Sequence, residues 1–171
     1  MASETPAPGG GSVAAVTVAL GAALAAMAAR FSRKRMDDAD GLATEADRLR
    51  ERVLPLARAD AESYSAVLAA YRLPKDDPGR DAAIAEALSN AADVPLAIAE
   101  IAADVGELAA RVADSGNPNL LGDAAAATYL AQAGAHACAN LVRINLRDRE
   151  DPRVARAEAA VERATRATRR I

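Results

Sequence analysis

The chain has 171 residues, long enough for one domain with a substantial core and short for two. Hydrophobic residues make up 51% of it and aromatics only 2%, so the core has to come from Ala, Leu, Val and Ile, and such small side chains favour covering further apolar surface with a second copy. A net charge of −3 excludes a general nucleic-acid binder; one cysteine, Cys138, and one histidine, His136, exclude a disulfide framework and a Cys/His zinc cluster, and fit a reducing cytoplasm.

The first informative stretch is Pro8-Gly9-Gly10-Gly11-Ser12, running straight into an alanine-rich apolar segment. Glycines before a helix let something approach the backbone closely, and Ser12 is a good N-cap for a first helix over residues 13–29. The positive end of that helix favours a carboxylate, a phosphate or a polarised carbonyl. No Gly-Lys-Ser/Thr closes the turn, so it is no P-loop, and the same glycines also fit a flexible lead-in. Residues 12–29 are as long as a short membrane span, yet they are dominated by Ala, with Leu only at Leu20 and Leu24, and no basic region precedes them. A buried core helix is the better reading, and no membrane partner is expected.

The basic cluster Arg33, Lys34 and Arg35 follows, where cations complement a helix C-terminus. A long second helix is predicted over residues 37–72 with a kink at Pro55, then a break at 73–79. A third helix covers 80–93 and a fourth 95–114, with Pro95 in its first turn. The turn formers of 115–119 end it. A fifth helix spans 120–145 and a sixth starts at 152, so polar that it is read as surface or frayed. The chain is therefore read as all-α, a single-domain bundle of five to six helices spanning residues 1–171 and acting as a dimer.

Chemistry has to come from polar residues near apolar helix surfaces or in the Gly-rich breaks. Asp123, between Gly122 and four alanines, either caps a helix or serves as a general base. Asp60 and Glu62, beside Tyr64, offer a second carboxylate source against a background of ordinary surface acids. Asn117 and Asn119 suit either substrate amide contacts or plain turn chemistry. Asn140, Arg143 and Asn145 form a polar stripe that is either functional or solvated. His136, among Ala and Cys, reads as a buried, hydrogen-bonded imidazole. Arg33, Lys34 and Arg35 are a solvated helix end or, beside a ligand loop, a holder for an anionic tail.

Taken together, these blocks resemble the cyclodeaminase/cyclohydrolase family, whose members form the C-terminal half of formiminotransferase-cyclodeaminase or stand alone in bacteria. The opening Ala7-Pro8-Gly9-Gly10-Gly11-Ser12-Val13-Ala14-Ala15 is similar to the family signature. It is followed in family order by Gly21 to Leu24, Asp60-Ala61-Glu62 with Leu73-Pro74-Lys75, Val94-Pro95-Leu96 with Ala99-Glu100, Gly116-Asn117 with Asp123, and Ile144-Asn145-Leu146-Arg147-Asp148. Two departures stand out. Ser32-Arg33-Lys34-Arg35 lacks the glycine of the family's Thr-x-Gly-basic stretch, and Arg58 replaces an acidic residue that members carry two positions before Asp60.

The resemblance implies an all-helical homodimer that binds tetrahydrofolate, with no other cofactor and no metal. It implies hydrolysis of 5,10-methenyltetrahydrofolate to 10-formyltetrahydrofolate, with cyclodeamination of 5-formiminotetrahydrofolate as the alternative and a non-catalytic helical interaction module as the rival of a different class. Both reactions pass through a tetrahedral carbon and need a proton shuttle. Asp123 is the first candidate for it and Asp60 the second. Gly9, Gly10, Gly11 and Ser12 shape the pocket, Asn117, Arg143 and Asn145 position the pterin or glutamate portion, and Arg33, Lys34 and Arg35 hold the tail.

Overall fold

The computed structural model describes residues 4, 7–146 and 150–171, and every regular element among them is helical. Helix α1 spans Gly10–Arg30, α2 Ala39–Val53, α3 Leu56–Tyr71, α4 Arg80–Asn90, α5 Asp93–Ser115, α6 Leu121–Leu146 and α7 Pro152–Thr168, with a single 3₁₀ turn at Pro118–Leu120. The expected count of five to six rises to seven because the predicted 37–72 helix is cut in two. Pro55 has no N–H to donate and its ring collides with the carbonyl four residues back, so the chain is not merely kinked there. Ala57 N–H bonds back to Leu54 O at 3.2 Å, and α3 begins afresh.

Helices α1 and α5 occupy the middle of the bundle. Helix α5 packs against α6, α7 and α1, while α1 also packs against α2 and α3. Helix α1 is long and apolar enough to cross a membrane, but most of it is buried inside the bundle, the setting of a core helix. The alanine-rich composition does its work here, because small residues bring α1 and α6 close together. A Cβ on Gly134 would lie 2.4 Å from Val18 Cγ2, and one on Gly21 would lie 3.1 Å from Ala127 O. Val18 is fully buried and has no room to retreat. Gly134→Ala is therefore expected to lower unfolding free energy by about 1–3 kcal/mol through overpacking, read as a lower urea midpoint at constant slope.

The expectation that the last helix is merely surface or frayed is corrected. Helix α7 buries Val154, Ala157, Ala160, Ala164 and Ala167, a stripe at helical spacing that docks on α5 and α6. Asp151 caps it by accepting the Arg153 N–H at 2.9 Å, and Arg156 and Arg163 pair with Glu100 and Glu107 of α5. The polar residues that dominate its composition are the outer three-quarters of an amphipathic helix.

Candidate functional site

The N-terminus of α1, the middle of α3, the α4–α5 junction and the last turns of α6 converge on a cleft of about 300 Å³. Gly9, Gly10 and Gly11 form one wall, Asp60, Ser63 and Tyr64 another, and Ala91, Pro95, Leu141, Ile144 and Asn145 close the remainder. The volume is at the lower end for small-molecule sites.

Asp60 is the carboxylate of this cleft, and α1 holds it in place. Its Oδ2 accepts the Ser12 backbone N–H at 2.8 Å, so α3 supplies the acid that satisfies a free N–H at the start of α1. Ser12 is not the N-cap expected from the sequence. Helix α1 starts three residues earlier than expected, Gly9 takes the cap position without a side chain, and Ser12 is 1% exposed. Its hydroxyl lies 2.8 Å from Ala57 O and 2.9 Å from Asp60 Oδ2, and a hydroxyl with one hydrogen donates to one of these acceptors at a time.

Of the three glycines, Gly11 is the one the geometry requires. A Cβ on it would lie 2.0 Å from Asp60 Oδ1 and 2.5 Å from Asp60 Cγ, whereas one on Gly10 would meet only Leu141 Cδ1 at 3.9 Å and one on Gly9 would meet nothing. None of them has a positive φ. The motif therefore serves close approach, not an unusual backbone conformation.

Asn145 joins the cleft with its amide fixed, because Nδ2 donates to Ala91 O at 2.9 Å. Tyr64 stands one helical turn beyond Asp60 and is partly exposed at the mouth. The sequence placed Tyr64 only as a neighbour of the acids; its i, i+4 spacing from Asp60 was the available signal. Burial, and after it the Asp60 charge, pushes the Cys138 thiol up to about 12, so it stays neutral and is no nucleophile.

The other expected site residues lie elsewhere. Asp123 is in the first turn of α6 and the cleft is at its last turns, about 30 Å away along the same helix. Asn117 serves the turn: its Oδ1 accepts the Asn119 N–H at 3.1 Å, and its own N–H donates to Ser32 Oγ at 2.9 Å. Arg33, Lys34 and Arg35 follow the far end of α1, with Arg33 bonded to Asp40 at 2.7 Å. Arg143 is on the solvent side of α6, 3.4 Å from Glu158, and does not line the cleft. His136 is exposed, contrary to the buried imidazole expected. Arg147 and Asp148, part of the resemblance, lie outside the described residues. Among the described residues no group of three or more His, Cys, Asp and Glu side chains is arranged to hold a metal.

The separated blocks that meet in this cleft belong to one pattern. The family model for formiminotransferase-cyclodeaminase matches residues 1–163. The chain belongs to this family. It is 36% identical over 161 residues to methenyltetrahydrofolate cyclohydrolase of Methylorubrum extorquens, covering 88% of this chain and 77% of that protein. It is also 35% identical to formimidoyltransferase-cyclodeaminase of Rattus norvegicus, covering 86% of this chain but 29% of that relative. Among solved structures, formiminotetrahydrofolate cyclodeaminase of Thermotoga maritima superimposes with a TM-score of 0.80 at 26% identity, over 98% of this chain and 91% of that one. This member of the formiminotransferase-cyclodeaminase family thus shares the fold of a cyclodeaminase and sequence with both a cyclohydrolase and a cyclodeaminase.

Proposed function

We propose that this protein hydrolyses 5,10-methenyltetrahydrofolate to 10-formyltetrahydrofolate, with Asp60 as the proton-transfer group. The observation that carries the reading is the Asp60 carboxylate, fixed by the Ser12 N–H on the wall of a cleft whose other described lining residues are uncharged. Asp60 takes a proton from water as its oxygen bonds to the carbon between N5 and N10. The tetrahedral adduct then breaks its C–N5 bond, N5 keeps the electron pair and receives the proton from Asp60, and loss of the hydroxyl proton leaves the formyl group on N10. The free N–H groups at the start of α1 suit the oxygen of that adduct. Tyr64 and Asn145 fit the pterin, one by ring stacking and one by its fixed amide.

The same cleft suits cyclodeamination, in which N10 attacks the formimino carbon and ammonia leaves; likeness to the Thermotoga maritima cyclodeaminase favours this second reading. Following loss of the near-ultraviolet absorbance of methenyltetrahydrofolate, corrected for spontaneous hydrolysis, tests the first, and its appearance from the formimino substrate tests the second. Absence of both would overturn the proposal. Neither reaction requires a cofactor beyond the folate, and the reading extends to a cytoplasmic homodimer.

Asp123 is expected to have no part in it. Asp123 lies in the first turn of α6, where its charge contributes only a modest interaction with the helix start, so Asp123→Asn should change stability by less than about 1 kcal/mol and leave both rates within about twofold. A large loss of turnover in a folded variant would return Asp123 to the mechanism.

A further inference from the structure

We propose that the Ser12 hydroxyl is the positioning group for Asp60: it holds the carboxylate while it is charged and turns to the backbone of α3 once the acid has taken a proton. The inference rests on the reading of Asp60 as the proton-transfer group. Ser12 is 1% exposed and is not one of the residues lining the cleft, so it acts through the carboxylate and not on the substrate.

Both acceptors of the hydroxyl belong to α3. Ala57 O is 2.8 Å from Ser12 Oγ and Asp60 Oδ2 is 2.9 Å from it, and the two residues are one helical turn apart where α3 packs on α1. The Ser12 N–H reaches the same Oδ2 at 2.8 Å, so when the hydroxyl points there two donors of one residue converge on one oxygen. A single N–H leaves the carboxylate free to swing about that contact, and a second donor from another direction restricts it. With two hydrogens directed at Oδ2, the proton taken from water goes to Oδ1.

A donor locked onto a general base carries a cost, because it favours the carboxylate over the acid and so opposes proton uptake. The second acceptor lowers that cost. While Asp60 is charged, the bond to Oδ2 is charge-assisted and roughly twice as strong as one to a neutral carbonyl, and the hydroxyl points to the carboxylate. Once Oδ1 carries the proton this advantage is gone. Ala57 O then receives the same hydrogen at the same range, and no buried hydroxyl is left unbonded. The Ser12 O–H bond stays intact throughout, since only its direction changes, and the proton that Asp60 delivers to N5 is the one it took from water. Return of the charge draws the hydroxyl back to Oδ2.

Steady-state kinetics on methenyltetrahydrofolate with full-length Ser12→Ala, Ser12→Cys, Asp60→Asn and Ser12→Ala/Asp60→Asn test this. Alanine suits a helix, and Ala57 O keeps its helical partner inside α3, so Ser12→Ala is expected to fold. Cysteine fills the site with a weak donor and separates the hydrogen bond from the packing; either single variant alone decides the point. Each is expected to lower kcat about tenfold with KM within about twofold, because the carboxylate keeps the N–H but swings about it. With Asp60→Asn no carboxylate is left to hold, and adding Ser12→Ala is expected to change kcat by less than about twofold. Wild-type kcat in a folded single variant overturns the proposal, whatever its melting temperature, as does a raised KM with kcat unchanged or an equal loss of kcat in both backgrounds. A large loss in Asp60→Asn beside wild-type kcat in Ser12→Ala sinks this inference alone. If the wild-type protein turns over neither the methenyl nor the formimino substrate, or Asp60→Asn keeps wild-type kcat, the functional reading falls and this inference falls with it.

Discussion

Asp60→Asn is expected to give a folded protein whose turnover is lower by about a hundredfold or more on both the methenyl and the formimino substrate, with KM little changed. The substitution is close to isosteric. An amide oxygen in the place of Oδ2 still accepts the Ser12 N–H that now reaches it at 2.8 Å, so the link from α3 to the start of α1 survives. What disappears is the group that takes and returns a proton. Two alternatives are separated by the readout: a purely structural Asp60 would show its loss in the melting temperature with rates intact, and a group that only binds substrate would raise KM with kcat unchanged. Rates within about threefold of wild type would remove Asp60 from proton transfer.

The fold was legible in the sequence because helices announce themselves locally, through breakers such as Pro74, Gly79 and Gly116 and through apolar spacing, and the cleft was partly legible for the opposite reason. Gly9 to Ser12, Asp60 and Asn145 were singled out separately, and the structure brings them to one place. The local surroundings of Asp123 and Asn117, a Gly before the helix and a Gly-Asn-Pro turn, look alike whether a helix end faces a ligand or solvent. Which end of α6 meets the start of α1 is a long-range fact set by antiparallel packing, and no local spacing encodes it. Pro55 reads from the sequence as a kink, but whether a proline kinks or severs a helix depends on whether the neighbours support one straight segment. Ser12 belongs to the helix start, as its sequence suggests, but it binds Asp60 of α3 and does not cap α1. A hydroxyl at a helix start reads as a cap until another helix supplies a carboxylate that caps from outside.

The glycine motif gives the second large effect, and the structure concentrates it at Gly11. Gly11→Ala puts a methyl group 2.0 Å from Asp60 Oδ1 and 2.9 Å from Oδ2, while the same change at Gly10 makes only an ordinary contact at 3.9 Å. Alanine suits the helix better than glycine, so the backbone gains where the site loses. The side chain of Asp60 is the softer partner in the collision, because α1 is buried along its length and the carboxylate turns about two torsions. The expected outcome is therefore a folded protein, less stable by at most about 1–3 kcal/mol, in which the carboxylate has rotated off the Ser12 N–H and turnover has fallen about tenfold or more. Gly10→Ala should lose much less. A second-site change sharpens the reading: in an Asp60→Asn background the methyl group has no further proton transfer to misplace, so Gly11→Ala should cost little additional activity there. Measuring kcat for the four proteins of that cycle decides it. Equal losses in both backgrounds would mean that Gly11 acts on substrate access and not through the placement of Asp60.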